Sequence, residues 1–410
     1  MTVYYLTGIN LITVSIVVFF VGYFLANKIK LLKEYHIPEG VIGGILCSLF
    51  FYICQSLWDV RIEIDTELRN LFLLVFFCTV GMGARMNIII DGGKRLFKLM
   101  FLMFLFLILQ NTVGLSSAIL LGSNPLDGLI AGSISLLGGH GTAISWGNFF
   151  EQEGYAGATE LGMIAATIGL LLGGMVGGPV VSRIIKKYHL RGGKKEKKET
   201  DDEHYEHNLE AVTLPASLYT ILKDSLFVFC RVIVGSHLHS YLAGLGMVIP
   251  VYLPVLLVGM IFINAVDNPF YHTKLNVSTR IIDLFNDVSL QIFITMSMMG
   301  IEIGYLLDSR VLSMAAIIFV QVVAIILFAR YIFFFVAGKD YDAAVITSGF
   351  IGAGLGATPI GLANAATICR RFGASPKALL LIPFIGSVFT DVLNALTLQG
   401  FLMLPFLSPG

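Results

Sequence analysis

Residues Asp127–Ala143 read DGLIAGSISLLGGHGTA, a glycine-rich stretch set between apolar runs long enough to cross a bilayer. A shift of 215 positions lays it on Asp342–Thr358, DAAVITSGFIGAGLGAT, pairing Asp127 with Asp342, Ser133 with Ser348, Gly139 with Gly354 and Gly141 with Gly356. Each glycine weakens a helix by about 1 kcal/mol relative to alanine, so neither copy is expected to run straight through a membrane as one helix. Irregular backbone at membrane depth is tolerated only where protein or a water-filled cavity satisfies its N–H and C=O groups. Two such stretches, one in each half of the chain, point to a solute site.

Working outward, the composition sets the class. Of 410 residues, 56% are hydrophobic and 13% charged, with a mean hydropathy of +0.83, which reads as an all-α polytopic membrane protein. The formal charge is zero and no basic run is interleaved with aromatics, so no nucleic-acid surface is indicated. Cys47, Cys54, Cys78, Cys230 and Cys369 have no paired spacing and read as packing residues. The first apolar run lacks a preceding basic region and a following small-residue cleavage site, so it reads as a retained helix.

Apolar runs fall near 9–27, 40–57, 70–90, 96–122 and 157–185, then near 217–243, 247–266, 284–305, 311–337 and 376–406. The expected organisation is five spans (1–185), a charged linker (186–215) and five more spans (216–410), with glycine loops at about 127–150 and 342–370. The linker opens on Lys194, Lys195, Lys197 and Lys198 and turns acidic at Glu199, Asp201, Asp202 and Glu203, as a solvated tether does. Placing it in the cytoplasm puts Lys28, Lys30, Lys33, Arg85, Lys94, Arg95 and Lys98 inside, together with Lys274, Arg280, Lys339, Arg370, Arg371 and Lys377. Only Arg61, Arg69 and Arg310 then stay outside, among Asp59, Glu63, Asp65, Glu67 and Asp308. Both termini come out on the outer side. Five is odd, so the halves form inverted repeats, each with a glycine-rich re-entrant loop between its fourth and fifth spans. The loops would enter from opposite faces and meet near the midplane; as surface loops they would leave Leu129, Ile130, Ile134, Leu136 and Leu137 facing water for no evident reason.

A helix interrupted by such a loop exposes N–H groups at the next helical N-terminus, where glycines let a carboxylate approach. Carbonyls at the preceding C-terminus suit a hard cation. Candidate ligands are Ser135, Gly138, Gly139, His140, Gly141 and Thr142 in the first loop, and Gly352, Gly354, Gly356, Thr358, Pro359 and Asn364 in the second. Asn111, Asp391 and Asn394 join them from the spans. An ionised carboxylate inside a span costs roughly 2.5 to 3.5 kcal/mol, so Asp391, read as lying well inside span ten, marks a pathway or a paired site. It serves a substrate ammonium, a cation or a hydrogen bond between helices. His140 either contacts substrate and titrates or is held by neighbouring backbone. Gln110 and Gln321 occupy similar places in spans four and nine and read as glue between helices instead of ligands. Arg231, inside span six, is expected to snorkel or to pair with an acid.

These motifs resemble the sodium:glutamate symporter family of bacterial carriers. The likeness rests on Gly138-Gly139-His140-Gly141-Thr142, on Gly354-Leu355-Gly356-Ala357-Thr358-Pro359 with Ala363-Asn364, and on Ile37-Pro38-Glu39, Gln110-Asn111, Lys339 to Val345, and Asp391 with Asn394-Ala395-Leu396. Leu137 and Ala353 stand where the family pattern calls for a serine and an aromatic. The resemblance implies Na⁺-coupled symport of L-glutamate across the bacterial inner membrane by a homodimer with an elevator-like motion, with Na⁺ as coupling ion bound near the loop tips and no enzymatic cofactor. Partners are then glutamate, Na⁺ and membrane lipid. A carrier of another small organic anion and a channel with two filter loops are the alternatives. Filters are usually built from several subunits or repeats around one axis, which two unlike loops are not. Tyr341-Asp342 lacks the GxGD element of intramembrane aspartyl proteases, no GxxxxGK[ST] phosphate loop is present, and the exposed pair His204 and His207 is a weak metal motif.

Overall fold

The computed structural model describes residues 2–29, 38–83, 86–190, 218–245, 249–266, 277–301, 310–386 and 388–404. Most of the linker, with His204 and His207, lies outside them, as do Lys30, Lys33, Ile37, Arg85, Lys274 and Asp308. The chain is a multi-pass helical membrane protein. In order it forms β1 (Thr2–Leu6), α1 (Gly8–Lys28), α2 (Glu39–Trp58), β2 (Val60–Ile64), α3 (Thr66–Gly83), α4 (Met86–Leu120), α5 (Pro125–Leu129), α6 (Gly139–Gln152) and α7 (Ala158–Lys187). After the linker come α8 (Leu218–Gly244), α9 (Tyr252–Val266), α10 (Thr279–Met299), α11 (Arg310–Phe328), α12 (Phe334–Ala337), α13 (Tyr341–Phe372), α14 (Pro376–Ile385) and α15 (Val388–Leu402).

Within the described residues each of the ten apolar runs contains helix, and seven helical stretches are long and apolar enough to cross a membrane. The other three depart for visible reasons. Helix α8 carries Lys223, Asp224 and Arg231, α9 is short, and the last run is broken at Gly386 into α14 and α15. A second departure is the small parallel pairing of β1 with β2, Thr2 opposite Val60 through Leu6 opposite Ile64. Parallel strands need a long crossover, which α1 and α2 supply, and the alternation Val60-Arg61-Ile62-Glu63-Ile64 suits a strand.

The helices sort into two bundles. Helices α1, α2, α3, α8, α9 and α10 pack on one another as a frame. Small residues let their backbones touch: a Cβ on Gly43 would strike the Val18 carbonyl of α1, and one on Gly81 the Leu256 carbonyl of α9. Helices α4 to α7 and α11 to α15 form the second bundle, centred on α13 packed along α7. Across the divide, α6 leans on α10, and α15 touches α3 and α9. Arg231 lies inside the frame and neither snorkels nor forms an ion pair among the described residues. It is 4% exposed, its guanidinium sits 3.6 Å from the Phe262 ring centre and 5.2 Å from that of Phe227, and Nη1 reaches Met82 Sδ at 3.4 Å. Aromatic faces take the place of the expected acid.

Each glycine stretch forms a hairpin within the second bundle. In the first, the Asn124 side chain caps α5 by accepting from Leu126 N at 2.9 Å, with Pro125 at the first helical position. A π-type turn over Ile130–Ile134 follows, where Gly132 leaves helical geometry (φ −101°, ψ −135°), and α6 then runs back. The second is less unwound than expected, since helical turns cover Tyr341–Phe372. Even so, the chain reverses there. A Cβ on Gly352 would lie 2.8 Å from Gly361 Cα, whereas residues nine apart in a straight helix are about 13 Å apart.

Candidate site at the two hairpin tips

The tips meet on α7. A Cβ on Gly169 would strike both the Leu355 carbonyl of the second tip and Leu136 Cδ2 of the first, the latter at 2.5 Å. Only glycine leaves room for both. Helices from opposite halves of the chain then tie the tips in place: Gln110 Nε2 on α4 donates to the Gly354 carbonyl at 3.0 Å, and Asn394 Nδ2 on α15 donates to the Ser133 carbonyl at 3.2 Å.

Ser133 is the hub of a buried polar knot. Its N–H and Oγ both donate to Asn111 Oδ1, at 3.3 and 2.8 Å, while Gln321 Nε2 on α11 donates to the Gln110 carbonyl at 2.8 Å. Five buried atoms in this region, Gln110 Oε1, Asn111 Nδ2, Ser135 Oγ, Gln321 Oε1 and Asn394 Oδ1, have no hydrogen-bond partner among the described residues. An unsatisfied buried polar atom costs about 1–3 kcal/mol, so five in one region suit a ligand that would satisfy them. Three are amide oxygens fit for a hard cation; Asn111 Nδ2 is a donor fit for a carboxylate, and a serine hydroxyl serves either.

The first glycine motif opens α6. Gly139 takes φ +68°, the left-handed region that disfavours a side chain, Gly138 closes on Thr142 Cβ at 2.5 Å, and Gly141 rests against Phe76 of the frame at 3.2 Å (distances from a would-be Cβ). Thr142 is buried beside them. His140 Nε2 lies 3.0 Å from Thr167 Oγ1, whose single hydroxyl proton goes to the Met163 carbonyl at 2.9 Å. Thr167 therefore accepts, and Nε2 of His140 carries the proton. That bond leads to α7, not to the knot around Ser133.

In the second motif the same division appears. The Gly354 carbonyl joins the knot through Gln110, and Gly356 packs against Leu170 Cα of α7. Asn364 turns to α7, donating to the Gly173 carbonyl at 2.9 Å beside Gly352, and Pro359 is exposed. Thr358 Oγ1 donates to the Gly386 carbonyl at 2.5 Å, so the second tip caps the broken end of α14. The break adds a helix end to the reading of Asp391, which sits midway along the last apolar run in the first turn of α15. There it is half-buried, near enough to Tyr252 of α9 to act on it electrostatically, and at a helix N-terminus, which favours a carboxylate.

The structure thus brings Asn111 and Asn394 onto Ser133, joins Gly354 to the neighbouring Gln110, leaves Ser135 Oγ buried with no partner among the described residues, and directs His140 and Asn364 to α7. Ser133 has one signal in the sequence, its alignment with Ser348 in the repeat, and Gln110 and Gln321, which read as glue between helices, each keep a buried oxygen with no partner among the described residues.

A multi-pass helical protein with paired hairpins around an uncharged polar knot is built as a membrane transporter. The chain belongs to the sodium/glutamate symporter family, whose model matches residues 4–374. It is 36% identical over 385 residues to the sodium/glutamate symporter of Escherichia coli K12, covering 94% of both chains, and 34% identical to that of Haemophilus influenzae, covering 93% of this chain and 94% of the other. A likeness to the sodium proton antiporter MjNhaP1 of Methanocaldococcus jannaschii, at 15% identity and a TM-score of 0.41, spans 97% of this chain and 99% of that one. Like its relatives it is a transporter and not an enzyme.

Proposed function

We propose that the chain carries L-glutamate together with Na⁺ across the bacterial inner membrane by alternating access, the hairpin bundle moving against the frame as an elevator. The observation that carries this reading is the meeting of two hairpin tips at Gly169 beside five unsatisfied polar atoms. The amide oxygens of Gln110, Gln321 and Asn394 are offered to Na⁺, while Asn111 Nδ2 and the first-turn N–H groups of α6 are offered to a substrate carboxylate. Asp391 faces the substrate ammonium or a second cation. The halves act as inverted five-span repeats with re-entrant loops, the linker in the cytoplasm and both termini outside; the charge bias and the opposed hairpins support that arrangement. Sparse packing between the bundles supports motion of one against the other. The homodimer follows from the family resemblance.

Uptake of labelled glutamate into proteoliposomes tests the reading. Accumulation is expected only with an inward Na⁺ gradient. Dissipative flux independent of Na⁺ would favour a channel, and accumulation of other anions in preference to glutamate would reassign the cargo.

A further inference from the structure

A half-buried cation lies on the boundary between the bundles and takes no part in the knot. Arg69, in the first turn of α3 on the frame, donates from Nη2 to Asn148 Oδ1 of α6 at 3.3 Å. Glu151 and Glu160 of the hairpin bundle are close enough to act on it electrostatically, and its Nε has no hydrogen-bond partner among the described residues. Arg69 also lines a cavity of about 410 Å³ that opens along this boundary, between α3 and the α6–α7 turn, and a second of about 470 Å³ that lies within the frame, between α2, β2 and α10. A third, of about 350 Å³, shares Asn148 with the first and reaches Ser145 and Tyr252. The charge bias places all three on the outer side. Elsewhere the boundary is largely apolar, as where Gly141 meets Phe76 and Met163 shares a cavity with Met298. Apolar surfaces slide without a preferred register. A charged fork bonded across them does not.

We propose that Arg69 is a positioning residue that latches the hairpin bundle to the frame with the outer cavities open. This inference rests on the alternating-access reading. In this arrangement the guanidinium bridges α3 to Asn148 and faces Glu151 and Glu160, and all three must leave it when the bundle travels. Arg69 thereby sets the share of time during which glutamate and Na⁺ can enter from outside. A carrier whose competent state is depopulated binds its cargo with proportionately lower apparent affinity.

The test uses the full-length protein in proteoliposomes, with the five native cysteines replaced and Ser145→Cys introduced. An impermeant thiol reagent is applied from the outer side without Na⁺ or glutamate. Arg69→Gln is expected to slow labelling by about tenfold and to raise the glutamate concentration for half-maximal uptake while the maximal rate holds, the range a charged hydrogen bond spans. Arg69→Lys, with a point charge and no fork, falls between. Asn148→Asp strengthens the bond and speeds labelling, an effect that damage to packing would not produce. Equal labelling with and without Arg69→Gln, or slowing by both Arg69→Gln and Asn148→Asp, overturns the latch alone. If labelling in the chain with Arg69 intact ignores saturating Na⁺ plus glutamate, the moving-bundle reading falls, and the latch with it.

Discussion

Tyr155 donates its hydroxyl to Asp127 Oδ1 at 2.7 Å, joining the two ends of the first hairpin across 28 residues. The second hairpin is closed by the aligned aspartate, since Ser375 Oγ donates to Asp342 Oδ1 at 2.6 Å across 33 residues. In each case the outgoing and returning limbs start and finish at the same end. The repeat seen in the sequence as two aspartates is thus a repeat of mouth closures, and it fixes how far each tip can reach.

Loss of a closure should loosen one hairpin without removing any group from the knot. Tyr155→Phe leaves Asp127, 2% exposed, without that donor, and is expected to lower stability by about 1–3 kcal/mol. Ser375→Ala should do the same for the second hairpin. Thermal unfolding of the purified variants checks both, and the two losses should add because the two closures share no residue. Stabilities equal to the parent would show the closures to be incidental.

The meeting of the tips predicts a steep response at Gly169. Even the methyl group of Gly169→Ala would strike the Leu355 carbonyl and Leu136. Overpacking of this kind costs about 1–3 kcal/mol, and the tips must part to relieve it. Uptake is expected to fall more than tenfold while the protein still inserts. Wild-type uptake by Gly169→Ala would mean that the tips do not need their contact.

At Asp391, the expected outcome of Asp391→Asn is a loss of transport by orders of magnitude with folding retained. A charged hydrogen bond contributes roughly 1.5 to 3 kcal/mol, or about tenfold to a hundredfold or more in affinity. A raised Na⁺ requirement identifies a cation as its partner; weakened glutamate affinity at saturating Na⁺ identifies the substrate. A purely architectural role predicts an unstable variant whose folded fraction keeps near-normal affinities.

Arg231 gives a prediction of the opposite kind. Held by Phe227, Phe262 and Met82 and not by an acid, it should tolerate Arg231→Met with less than about 1 kcal/mol of change and near-normal uptake, because apolar replacements of buried charged groups are often neutral. Measured thermal stability and uptake decide it. A large loss of uptake at unchanged stability would give Arg231 a part in transport.

Much of the fold was legible because membrane spans declare themselves by length and apolarity, and the hairpins because glycine spacing repeats. What was not legible depends on partners far off in the chain. Phe227 and Phe262 stand 35 residues apart and nothing local announces that an arginine will lie between them. The break at Gly386 hides in a continuous apolar run, and its capping group, Thr358, lies 28 residues earlier. Ser133 carries no charge and looks like any small residue in a glycine-rich loop; only the arrival of Asn111 and Asn394 makes it a hub. The strands β1 and β2 are five residues each, too short to outweigh the helical context.

The knot around Ser133 is built from amides and hydroxyls, which have dipoles but no net charge. A membrane potential does about 2.3 kcal/mol of work per elementary charge per 100 mV, and does none on moving a neutral amide. At the knot itself, voltage therefore acts on what is bound more than on what binds. On the carrier proposed above, loaded and empty journeys should differ in electrical sensitivity according to the ions aboard: glutamate brings one negative charge, so the net positive charge moved per glutamate, plus one, counts the Na⁺ that accompany it.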